Sequence, residues 1–233
     1  MVKEQAHTVR SYEQQLSQLR GMMVAMGRLV IRQTEQAVAA VVEGDTESGR
    51  MAQALDPQVD QMERDVETLV IRLLALRAPM AGDLREIVAA MKISGDLERI
   101  GDCAASIAKR ALKVDAVPTD VPAGALRSMG RLVQENLRRA IDAQEQRDSA
   151  RAVEVWQSDA AVDELYTAMF RELVTYMMED PRTIRSCTHL LFIAKNLERI
   201  GDHATNIAER VYYAATGEML PPERPRGGAS SRA

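Results

Sequence analysis

Four pairs of acidic residues recur at a spacing of four. Asp56 and Asp60 lie in LDPQVD, Glu98 and Asp102 in LERIGD, Asp159 and Asp163 in SDAAVD, and Glu198 and Asp202 in a second LERIGD. On an α-helix, residues i and i+4 share a face, so each pair aims two carboxylates the same way. Such pairs can hold a cation between them. Like charges at this spacing cost about 0.2–0.5 kcal/mol on an exposed helix, and more where water is excluded. The glycine before the last acid of each LERIGD costs about 1 kcal/mol more relative to alanine. A bound cation offsets the first cost. Close approach of a neighbouring helix or a ligand accounts for the second.

The donor type narrows the chemistry. All-carboxylate sites suit hard cations, iron and manganese more than copper. His7, His189 and His203 have no metal-ligand spacing, and His203 is matched by Cys103 in the first LERIGD stretch, so a zinc-enzyme site is not expected. The competing reading is a set of solvated helix faces in which Arg99 and Arg199 neutralise the acids. Arg85 and Arg185 are expected as exposed helical arginines. The methionines, among them Met23, Met26, Met177 and Met178, are expected as core filler, Trp156 as a packing residue, and Cys103 and Cys187 as small apolar helical residues.

These acids must be positioned by helices. The chain has 233 residues, 46% hydrophobic and only 3% aromatic, and Ala, Leu, Met, Glu, Gln and Arg dominate its periodic segments. A net charge of −4 argues against a nucleic-acid binder. No apolar run reaches membrane-spanning length and the first residues carry no secretory h-region. Two cysteines make no disulfide framework, and a reducing cytoplasm is the expected location.

Apolar residues at three-four spacing predict six long helices. The first runs from about Tyr12 to Val42, the second from an Asp45 cap to Leu76, and the third through Leu84 and Ile107 to near Val114. VDAVPTDVPAG then breaks the pattern with two prolines and a glycine. The fourth helix is expected over Ala125 to Gln144 and the fifth from an Asp148 cap to Glu179. The sixth is expected from Asp180-Pro181 to Thr216 or Gly217. The Pro/Gly/Ser/Arg-rich tail over 218–233 is expected to be disordered.

The marks come in threes. Leu97–Arg110 and Leu197–Arg210 are identical at ten of fourteen positions, Arg85 matches Arg185 at the same offset of 100, and Asp45 matches Asp148 at 103. The economical explanation is a tandem repeat. It predicts an all-α fold of two antiparallel three-helix bundles, residues 1–115 and 116–217. Each unit carries one acidic pair on its second helix and one on its third, at the edge of the packing seam.

Over about Tyr12 to Gly217, the doubled ERIGD together with DPQVD and DAAVD resembles the PhoU family. The resemblance implies two tandem three-helix bundles with pseudo-twofold repetition. It implies a cytoplasmic negative regulator of the phosphate-starvation response, not an enzyme. Such regulators link the ATPase of the phosphate ABC transporter to a sensor histidine kinase, and a homodimer is expected. It also implies carboxylate metal sites, holding multinuclear iron in some members and zinc, nickel or magnesium in others; here manganese is a further candidate. The implied ligands are Asp56, Asp60, Glu98 and Asp102, then Asp159, Asp163, Glu198 and Asp202. Asn196 stands where the first unit has Asp96, so the two sites need not bind equally. No Gly-rich phosphate loop is visible. The residues alone leave two alternatives: a di-metal oxidase or metal-storage bundle, disfavoured by the lack of any Glu-x-x-His motif, and a metal-free scaffold.

Overall fold

The computed structural model describes residues 2–113, 123–158 and 160–221, with the backbone alone for 2–10 and 123. All regular structure among them is helical. α1 (Val2–Val42), α2 (Thr46–Arg77) and α3 (Ala81–Ala111) form the first repeat. α4 (Ala123–Gln146), α5 (Ser149–Gln157), α6 (Ala160–Glu179) and α7 (Ile184–Thr216) form the second. The two-repeat, all-helical expectation is met. The expected boundary segment lies outside the described residues over 114–122, as does the tail beyond 221.

Local chemistry places the ends. Gly44 takes a φ of +70° after α1, a left-handed turn that a side chain would strain. Asp45 then caps α2 by accepting from the amides of Glu47 and Ser48, and Asp148 caps α5 from those of Ala150 and Arg151. Gly217, at φ +81°, closes α7 by donating its amide to the Tyr213 carbonyl at 2.8 Å.

Three boundaries differ from expectation. α1 starts at Val2 rather than near Tyr12. The fifth expected helix is two segments: the amide and hydroxyl of Ser158 both donate to the Val155 carbonyl, at 3.0 and 2.7 Å, and draw the chain into a tight turn. At the matching place in the first repeat Pro57 lies inside α2, which stays continuous. Asp180 does cap Pro181, but over a short 3₁₀ turn (Pro181–Thr183), and the α-helical register begins only at Ile184.

The two repeats share one core, because α3 packs on α7 and α1 on α4. Their contacts are reciprocal. A Cβ at Gly27 of α1 would stand 2.8 Å from Ile141 of α4, and a Cβ at Gly130 of α4 would stand 2.8 Å from Val38 of α1. Gly27 and Gly130 are repeat equivalents, and so are Val38 and Ile141. This is the signature of a pseudo-twofold axis, and each glycine is the gap that lets the other repeat's helix close in. Glu35 and Arg138, also equivalents, pair across it at 2.6 Å.

The pseudosymmetry is broken between α3 and α7. Buried Asp96 accepts from Arg210 Nε at 2.6 Å and lies 3.1 Å from His203 Nδ1. Burial pushes its carboxyl up, but the bonds to His203 and Arg210 outweigh that and hold it below the usual aspartate range. On the other side of the axis, Asn196 turns back to the Phe192 carbonyl at 2.7 Å, and Arg110 stacks over the Phe192 ring at 4.1 Å.

Candidate metal centre

In the first repeat, α2 brings Asp56 and Asp60 up to Glu98 and Asp102 of α3. The four carboxylates feel one another. Burial lifts Asp56 above its ordinary pKa; its bond from Gln33 opposes this, and the charges of Asp102 and Asp60 add to it. Glu98 is lifted by burial and then by Asp102, with Asp60 and Glu63 adding and Arg99 opposing. Arg99 spans the α3 pair, its Nε 3.4 Å from Glu98 and its Nη1 3.4 Å from Asp102. Among the described residues, no three His, Cys, Asp or Glu side chains are gathered closely enough to hold a metal ion as they stand.

The floor of this acidic patch is Gln33 of α1, which is fully buried. Its Nε2 donates to the Ala52 carbonyl (3.1 Å), Asp56 Oδ1 (3.2 Å) and the Gly101 carbonyl (3.3 Å), tying all three helices together beneath the acids. Its Oε1 has no hydrogen-bond partner. The glycine of LERIGD is explained here. A Cβ on Gly101 would meet Gln33 Oε1 at 3.1 Å and Val59 Cγ1 at 3.2 Å. Any larger residue would make Gln33 or Val59 give way by a few tenths of an ångström for α3 to keep this distance from α1 and α2.

The second repeat is built differently. Gly201 is looser, since its Cβ would lie 3.4 Å from Val162, an ordinary contact. Glu198 is bound by Lys195 of its own helix, Nζ to Oε1 at 2.6 Å, and the Glu198 side chain is only 13% exposed. That hydrogen bond holds Lys195 above the ordinary lysine range. The ammonium also lies 5.3 Å from the centre of the Tyr166 ring. Asp202 is half-buried and near enough to add to the field at Lys195. Asp163 is exposed on α6, and Asp159 lies outside the described residues.

Other expectations resolve unevenly. Arg99 does pair with its neighbouring acids, but the cation on Glu198 is Lys195 and not Arg199. Arg185 is exposed as expected, whereas Arg85 is half-buried against Gly217 at the end of α7. Met23 and Met26 are core and Trp156 is packed, but Met178 is 80% exposed. Gln33, Glu63, Lys195 and Tyr166 went unmarked by the pair spacing. Gln33 alone carried a sequence signal, a polar residue in the apolar stripe between Val30 and Ala37.

A family model described as the PhoU domain matches this chain twice, over residues 23–111 and 126–211. A phosphate-specific transport system accessory protein PhoU homolog of Caulobacter vibrioides is 49% identical over 224 residues, 94% of this chain and 96% of that one. A protein of the same name from Zymomonas mobilis is 45% identical, covering 96% of this chain and 94% of its own. The crystal structure of PhoU from Pseudomonas aeruginosa superposes with a TM-score of 0.86 at 40% identity, covering 89% of this chain and 100% of that one. The phosphate transport system regulatory protein PhoU from Streptococcus pneumoniae gives 0.82 at 30% identity, covering 90% and 99%.

Proposed function

The chain belongs to the PhoU family, and on that premise we propose that it is an accessory regulator of phosphate transport. In this reading it restrains the phosphate-starvation response as an adaptor between the ATPase of the phosphate ABC transporter and a sensor histidine kinase. The observation that carries the proposal is likeness over nearly the full length to proteins named for that accessory role. The role is one of binding rather than catalysis. No helix among the described residues is long and apolar enough to cross a membrane, so the adaptor would reach its transporter through a protein surface. A homodimer in the cytoplasm completes the proposal.

The carboxylates are the proposed metal ligands, and the first repeat fits a hard cation. Asp56 and Glu98 are lifted by burial first and then by their acidic neighbours, and a neutral oxygen, Gln33 Oε1, is left without a partner beside them. A metal ion there would supply positive charge to like-charged groups on two helices. The chain's own part is to hold the ligands: α2 contributes Asp56 and Asp60, α3 contributes Glu98 and Asp102, and Gln33 fixes the distance between the helices. The ion's identity is open among iron, zinc, nickel, manganese and magnesium, with oxygen ligands favouring the harder ones.

The test is a clean deletion strain grown in excess phosphate and carrying a phosphate-starvation reporter such as secreted alkaline phosphatase. High reporter activity, returned to low by the intact gene, is expected. Unchanged low activity in the deletion strain would refute the negative-regulator role.

A further inference from the structure

Away from the acidic pairs, α1 and α3 of the first repeat face α4 and α7 of the second around a cavity of about 390 Å³. That is the size of a small-molecule site. Much of its wall is apolar, with Leu19 and Met23 from α1, Ile93 from α3 and Val211 from α7. Ala89 and Ala90 leave the space open. Their repeat equivalents, at an offset of 100, are His189 and Leu190, and Leu190 is buried. The polar lining is equally one-sided. Arg20, Glu86, Gln144 and Arg147 stand where the other repeat has Ala123, Ser186, Val41 and Gly44. Only one half of the duplication has the residues to make this cavity.

Arg147 carries a backbone cost for its place. It takes φ +54°, a left-handed conformation, at the turn where the first repeat uses Gly44 at +70°. Its guanidinium reaches across to Glu86 of α3, which Arg20 of α1 also holds, Nε to Oε1 at 2.5 Å. The other acids of the lining are paired as well. Asp83 accepts from the Tyr12 hydroxyl at 3.1 Å, and Glu145 lies 3.2 Å from Arg28. One cation is left over. Arg85 lines the cavity without an acidic partner among the described residues, and its Nε is buried with no hydrogen-bond partner. Its counterpart Arg185 is an exposed helical arginine, but Arg85 is half-buried, with its guanidinium against Gly217 at the end of α7.

We propose that this cavity binds a small amphiphilic monoanion, with its anionic group on Arg85 and a ring-sized apolar body against Leu19, Met23, Ile93 and Val211. The charges set the class. Arg20, Arg28, Arg85 and Arg147 face Asp83, Glu86 and Glu145, which leaves one positive charge uncompensated. A guanidinium takes a carboxylate or a phosphate oxygen alike, so the shared chemistry is a singly charged oxyanion on an apolar frame. Bare inorganic phosphate would leave the apolar wall uncovered. Because the lining comes from both repeats, the occupant would bridge them. Nothing in this assignment depends on a metal ion or on the transport role.

Isothermal titration calorimetry of the full chain with naphthoate, a carboxylate, and separately with cyclic AMP, a phosphodiester, tests both sources of the anion. One bound molecule per chain is expected for at least one of them. Arg85→Gln is expected to weaken that binding about 10- to 100-fold, the loss of a hydrogen bond between charged groups. Ala90→Leu, which copies the second repeat, is expected to abolish it by filling the cavity. Circular dichroism checks that both variants keep their helices, and if Ala90→Leu does not fold, Arg85→Gln decides alone. Binding of neither probe overturns the proposal. So does binding that is unchanged in Arg85→Gln or persists in folded Ala90→Leu. Inorganic phosphate that displaces the probe at equal concentration would overturn the apolar part of the assignment.

Discussion

Replacing the glycine of each LERIGD by alanine should have opposite effects in the two repeats. Glycine to alanine in a helix interior is favourable by about 1 kcal/mol from backbone entropy. At Gly201 nothing opposes this gain, since the new methyl would sit 3.4 Å from Val162. At Gly101 the methyl arrives 3.1 Å from Gln33 Oε1 and 3.2 Å from Val59 Cγ1. Neither can give way easily. Gln33 is fully buried and held by three acceptors, and Val59 is fully buried in the core. Overpacking of this kind costs about 1–3 kcal/mol. The net expectation is about 1 kcal/mol of stabilisation for Gly201→Ala and about 1 kcal/mol of destabilisation for Gly101→Ala. For a domain of this length each kcal/mol moves Tm by about 2–4 °C, so the two variants should separate by about 4–8 °C. Differential scanning calorimetry of both variants beside wild type reads this directly. If Gly101→Ala is as stable as Gly201→Ala, the clamp between α1, α2 and α3 does not exist as described. If Gly101→Ala is destabilised and Gln33→Ala in addition restores it, the clash is located.

Two further outcomes follow from buried groups. Asp96 has a folded pKa below its unfolded value, so its stabilisation is complete above about pH 4 and drains away as pH falls through the lower, folded value. Asp96→Asn should therefore cost about 3–5 kcal/mol at neutral pH, and in urea titrations the gap from wild type should narrow as pH falls below about 4; a gap that does not narrow on acidification would refute the ion-pair account. Cys103 lies in the core, where burial first and then the nearby Asp102 charge push its thiol up to about 11 against the Arg199 field. At pH 8 a disulfide reagent should modify it about a hundredfold more slowly than a free thiol, with full reactivity only in denaturant; rapid labelling of the native chain would show that α3 opens from α7.

Much of this molecule was legible in the sequence for a physical reason. A helix repeats every 3.6 residues, so its apolar stripe, its Asp caps and its Gly stops are local signals, and Asp45, Asp148, Gly44 and Gly217 act where the sequence puts them. The duplication needed only alignment of the chain against itself. The i, i+4 acids of α2, α3 and α7 share a face because helix geometry allows nothing else. What the sequence could not determine is how the two repeats face each other. Gly27 and Gly130 are unremarkable helical glycines until Ile141 and Val38 arrive from the other repeat. Lys195 is one more surface lysine until Tyr166, on a different helix, comes beneath it. Asp96 meets Arg210 across 114 residues of sequence. Local periodicity specifies each helix and the face it presents. Which side chain stands opposite that face depends on packing between distant segments, and there the difference between the two acidic sites is decided.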